Sequence, residues 1–150
     1  MARFTVAKLD APTPRAGIYA GRIVSVKEKV AEMSGNPTLR LRARFHDGSE
    51  LSFIITLAPS EKSAKLVGYF ARSCDIVLPP AGAEAELRAA DVEGRLFFAE
   101  VALDENSEPK IVKFLAKEDA CARNPALGKL SFRAQEPLRL KPLTDERALL

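Results

Sequence analysis

The chain has 150 residues, enough for one domain and little more. Hydrophobic residues make up 47% and charged residues 29%, a balance that excludes wholesale disorder, and no apolar run approaches the roughly 20 residues that span a bilayer. The net charge of +3 is unevenly placed, with 12 Lys and Arg against 7 Asp and Glu in residues 1–75 and 11 against 13 in residues 76–150, so a polyanion is one candidate partner and scattered solvated charge the plain alternative.

Residues 1–16 contain Pro12 and Pro14, show no sustained period and read as an arm. They hold no continuous apolar stretch of the kind a secretory signal needs, so the expected address is the cytoplasm. Cys74 and Cys121 are too few for a disulfide framework and are read as reduced thiols.

From Gly17 the chain becomes rich in β-formers. Ile18, Tyr19, Ile23, Val24 and Val26 place a long first strand over 17–27, with Gly21 as a bend or bulge. Ser34-Gly35-Asn36-Pro37 is a dense turn signal. Residues 38–45, TLRLRARF, alternate strictly: Leu39, Leu41, Ala43 and Phe45 one way, Arg40, Arg42 and Arg44 the other. That period belongs to a half-buried strand. His46-Asp47-Gly48 is a hairpin turn, and 50–57 returns as a third strand with Leu51, Phe53, Ile55 and Leu57 inward.

The period then changes. Ala58-Pro59-Ser60-Glu61 starts a helix over 60–74 whose stripe is read at Leu66, Phe70 and Cys74. Residues 75–94, broken by Pro79-Pro80, hold at most a short turn of helix. Residues 95–104 and 110–117 form the fourth and fifth strands around the turn 105–109. Residues 118–150, with Pro125, Pro137 and Pro142 among spaced leucines, read as an arm laid on the body or ordered by a partner.

Three strands, a helix and two strands is the element order of an OB-fold, a five-stranded, partly open barrel. The expected organisation is therefore mainly β: an N-terminal arm (1–16), an OB-fold-like domain (17–117) with one helix between strands three and four, and a C-terminal arm or tail (118–150).

Gly17-Ile18-Tyr19, Ser34 to Pro37, Thr38 to Phe45, Asp47-Gly48 and the helix end Tyr69-Phe70-Ala71 together resemble a group of small bacteriophage proteins encoded in replication and recombination modules. The resemblance covers about residues 15–117. It implies kinship with OB-fold single-stranded DNA-binding proteins, and replication or recombination proteins as partners. Thr144-Asp145-Glu146-Arg147 is only mildly acidic, unlike the long acidic tail typical of bacterial single-stranded DNA-binding proteins.

The candidate binding residues follow from the strand period. Arg40, Arg42 and Arg44 sit about 6.5–7 Å apart, twice the strand rise and close to the phosphate spacing of an extended single strand. A guanidinium grips two phosphate oxygens at once and stacks on bases. Arg22, Lys27 and Lys29 extend the track along the first strand, and Tyr19 is the best stacking candidate, ahead of the apolar Ile54 and Phe98. The bland reading of the row is a solvated strand face paired to carboxylates. His46 is alone in a turn, the cysteines lack metal-ligand spacing, and no phosphate-loop, nucleophile-elbow or zinc-protease motif occurs. No catalytic residue, metal or cofactor is expected. The first expectation is a non-enzymatic, sequence-independent single-stranded DNA-binding protein that self-associates. The second is an interaction module that assembles through its C-terminal arm.

Overall fold

A computed structural model describes residues 2–5, 12–130 and 135–143. The mildly acidic segment Thr144 to Arg147 lies outside the described residues. In chain order the elements are β1 (Gly17–Val30), β2 (Pro37–Phe45), β3 (Glu50–Thr56), α1 (Glu61–Ser73), β4 (Ile76–Val77), α2 (Ala89–Val92), β5 (Leu96–Leu103), β6 (Pro109–Leu115), α3 (Lys117–Arg123), a 3₁₀ turn (Pro125–Lys129) and β7 (Leu138–Arg139). Five strands form one antiparallel sheet in the order β3-β2-β1-β5-β6.

The sheet is curled into a half-barrel, and β1 explains how. It is long because it serves two partners: Gly17 to Arg22 pair with β5, and Gly21 to Val30 pair with β2. The register slips between Ile23 and Ser25, two residues past the expected bend at Gly21. An extra residue in one strand sharpens its coil. Gly21 instead makes room, since a Cβ there would lie 2.8 Å from Phe97 Cε1 and 2.9 Å from Phe45 Cδ1. Two phenyl rings cross the strand where it has no side chain.

The concave face holds the core. Leu39, Leu41, Ala43 and Phe45 are buried as the alternation requires, together with Ile23, Ile55, Phe97, Ala99 and Val101. The curl brings β3 and β6, the two ends of the strand order, to ring contact: Phe53 and Phe114 have centroids 5.8 Å apart. Phe70 of α1 meets Phe114 edge-on at 5.1 Å, so the helix packs against the same aromatic cluster. Ser60 caps α1 by accepting from Ser63 N at 3.2 Å. The inward stripe of α1 runs through the half-buried Val67 and the buried Phe70 and Ala71 to Cys74 at its C-cap, while the expected Leu66 is exposed, as is Tyr69.

After β6 the structure departs from the expected arm. Residues 117–129 form α3 and the 3₁₀ turn, and they cover the convex face of β1, β5 and β6. Ala120 and Leu127 are buried there against Ala20, Leu96, Phe98 and Leu115. Arg123 grips Glu100 of β5 with two hydrogen bonds of 2.9 and 3.0 Å, and Asn124 Nδ2 donates to Ile18 O. A seven-residue helix with one buried alanine leaves little periodic signal, which is why it is invisible in the sequence. Further on, β7 pairs in parallel with β4. The Gln135 side chain accepts from Leu96 N at 2.9 Å and donates to Leu96 O at 2.8 Å. Among the described residues no helix is long and apolar enough to cross a membrane.

Candidate nucleic-acid interface

Among the described residues, no helix covers one half of the convex face of the sheet. There β1, β2 and β3 turn Arg22, Ser25 and Lys27, then Arg40, Arg42 and Arg44, then Glu50, Ser52 and Ile54 outward. The antiparallel register sets them in three crossing rows: Lys27, Arg40, Ile54; Ser25, Arg42, Ser52; Arg22, Arg44, Glu50. All three arginines of β2 are exposed, while the residues between them are buried. Lys29 continues the edge past Lys27 and is also exposed.

Two of the cross-strand pairs join like charges, Lys27 with Arg40 and Arg22 with Arg44. Directly opposed like charges disfavour strand pairing. The two ends handle this differently. Arg22 turns its guanidinium to Gly94 O, donating at 2.8 Å. Arg42 and Arg44 share Glu50, with one carboxylate oxygen 3.6 Å from each. Lys27, Lys29 and Arg40 make no ion pair with any described residue. The neighbouring Glu28 points to the other face and is taken up by Arg88 at 3.3 Å and by the backbone N–H of Ala89 at 2.8 Å.

Of the seven residues singled out from the sequence, six lie on this face or its rim and one does not. Tyr19 is 8% exposed. Its ring packs on Phe45 at 4.9 Å and on His46 at 5.5 Å. Its hydroxyl donates to Arg15 O and accepts from Arg15 N. Burial, and next the nearby Asp47 charge, push this hydroxyl's pKa up. A ring in that position offers no free side for a base. Tyr19 alternates with Ile18 and Ala20, and its concave-facing parity puts it with Phe45 and Phe97. Phe98 is also covered, beneath α3 and the 3₁₀ turn. Ile54, 54% exposed and opposite Arg40, is the apolar group the face presents.

Glu50 is the member of the face that the residue pattern of β2 alone does not name. The hairpin could have located it: Phe45 N bonds Ser49 O across the turn, which sets residue 50 opposite residue 44. The same turn is fixed by Asp47. Partial burial pushes its carboxyl's pKa up, but hydrogen bonds from Ser49 Oγ and Ser49 N outweigh this and hold it below the usual carboxylate range.

Elsewhere, Cys74 is buried in the core and its thiol is pushed up to about 12 by burial, which leaves it unreactive. No group of three His, Cys, Asp or Glu among the described residues could hold a metal ion. Neither protein-family models nor curated proteins give any match to the chain.

Proposed function

We propose that the chain is an OB-fold-like module that binds single-stranded DNA through its phosphates, without sequence preference and without catalysis. The strand order supports the fold reading: α1 lies between β3 and β5, and the third and last long strands curl toward each other, as a partly open five-stranded barrel requires. The surface that such barrels offer to oligonucleotides includes the second and third strands, where the arginine row stands.

The observation that carries the functional reading is the Lys27–Arg40 pair. Two exposed cations face each other across neighbouring strands with no described carboxylate to offset them. A phosphate backbone supplies the missing charge, and counterion release supplies the affinity. With Ile54 as its main apolar contact and no aromatic platform among the described residues of the face, it fits modest, strongly salt-dependent binding. The setting we propose is the replication or recombination of a phage or mobile element, in the cytoplasm, with copies of the chain side by side on the strand. That setting rests on the resemblance of its turn and strand motifs.

The test is fluorescence anisotropy with labelled oligo-dT at about 50 and about 200 mM salt. Binding at the lower salt that falls steeply at the higher, and is lost when Arg40, Arg42 and Arg44 become Ala, is expected. No binding at the lower salt overturns the reading. The second expectation, assembly through the C-terminal arm, has less to draw on. Leu127 is buried in the chain's own fold, and Leu138 and Leu140 pack on its own core.

A further inference from the structure

The row of cations is not uniform, and Glu50 makes the difference. Its carboxylate is the acidic group that the described residues place on this face, directly opposite Arg44 and diagonal to Arg42. Each oxygen serves one guanidinium at 3.6 Å. Its side chain is 19% exposed, whereas those of Arg42 and Arg44 are 55% and 60% exposed. The Glu50 side chain is thus mostly covered, while its two arginines keep most of their surface toward solvent. Both contacts are longer than the roughly 2.7–2.9 Å of a charge-assisted hydrogen bond, so they hold charge near charge without locking geometry. At the other end of the row, Arg40 faces Lys27 on one side and Ile54 on the other.

Resting on the single-strand reading, we propose that Glu50 is a built-in competitor for the phosphate backbone. It withholds Arg42 and Arg44, so that the strand is gripped at Lys27 and Arg40 and its affinity is kept low enough for release. The ladder of three arginines is then one open rung and two occupied ones. Exposed pairs of this kind are modest, so the effect is a tuning of affinity and not an on–off switch.

The test is a mutant cycle on the full chain with labelled oligo-dT. Glu50→Gln is expected to tighten binding about two- to fivefold at about 50 mM salt. Glu93→Gln, the same charge change at an exposed site on the α2–β5 turn, serves as the control and is expected to change it less. Arg40→Ala is expected to weaken binding in both backgrounds. Arg42→Ala and Arg44→Ala are expected to matter little with Glu50 present and several-fold in the Glu50→Gln background. Circular dichroism checks that each variant folds. Weaker binding by Glu50→Gln would mean that the carboxylate positions the guanidiniums, and it overturns the proposal. So does an Arg42→Ala loss equal to that of Arg40→Ala in the native background, or an equal gain from Glu93→Gln. If the native chain binds but Glu50→Gln changes nothing, this proposal fails and the functional reading stands. A native chain that does not bind sinks both.

Discussion

Two halves of one sheet face, sharing one strand, are treated in opposite ways. On the β5 side β1 turns out Ile18 and Ala20, and α3 with the 3₁₀ turn covers them along with Leu96, Phe98 and Leu115. On the β2 side the same strand turns out Arg22, Lys27 and Lys29, and no helix among the described residues covers them. The boundary is sharp: Arg22 pairs with Leu96 across one edge and with Arg44 across the other. The last helix among the described residues lies on the half that needs hiding from water. The half left open is the one whose opposed like charges make strand pairing less favourable. Covering serves stability, and the uncovered half is the one our proposal assigns to the phosphates of a single strand.

That contrast can be broken from either side. The largest effect belongs to the covered half: Phe98→Ala should cost about 3–5 kcal/mol in urea unfolding, because the ring is buried between β5 and the C-terminal helix. Gly21→Ala acts on the strand both halves share. The new methyl meets the Phe97 and Phe45 rings below 3.0 Å, so a loss of about 1–3 kcal/mol is expected. Arg40→Ala sharpens the comparison: its stability should stay within about 0.5 kcal/mol of the native chain or rise, while oligo-dT binding weakens and its logarithmic salt slope falls by about 0.7. The smallest effect is one of pH. Asp47 has a lowered pKa in the folded chain, so the stability it contributes is present above the ordinary Asp value of about 3.9 and is lost as the pH falls through the folded value. The gap in melting temperature between the native chain and Asp47→Asn should therefore be full at neutral pH and close below about pH 4.

The open half was the more legible in the sequence. Strict alternation from 39 to 45 has a period of two, and a period of two leaves one answer for which side chains are buried. The three Arg positions follow from that alone, and the hairpin at Asp47-Gly48 then locates Glu50. Curvature was not legible, because it depends on one slipped residue near Val24 and on two rings meeting over Gly21. Tyr19 could not be placed by composition: a β-forming aromatic reads the same on either face, and only the pairing with Ala99 and the stacking on Phe45 decide it. The covering helix was hidden for a related reason. Lys117 to Arg123 holds its place by Ala120, the Arg123–Glu100 grip and Asn124, all of which are contacts with residues far away in the chain.

Gln135 turns a side chain into a piece of backbone. Its amide offers Leu96 an acceptor and a donor together, the same two-point greeting an adjoining peptide unit would give, and its nitrogen also reaches Cys74 O. Mimicry of this sort is indifferent to shape and strict about hydrogen. A glutamate of equal size would meet two carbonyls with nothing to donate, and the segment that carries β7 would keep its β4 pairing and the Arg95 bond to Glu136 O near that point.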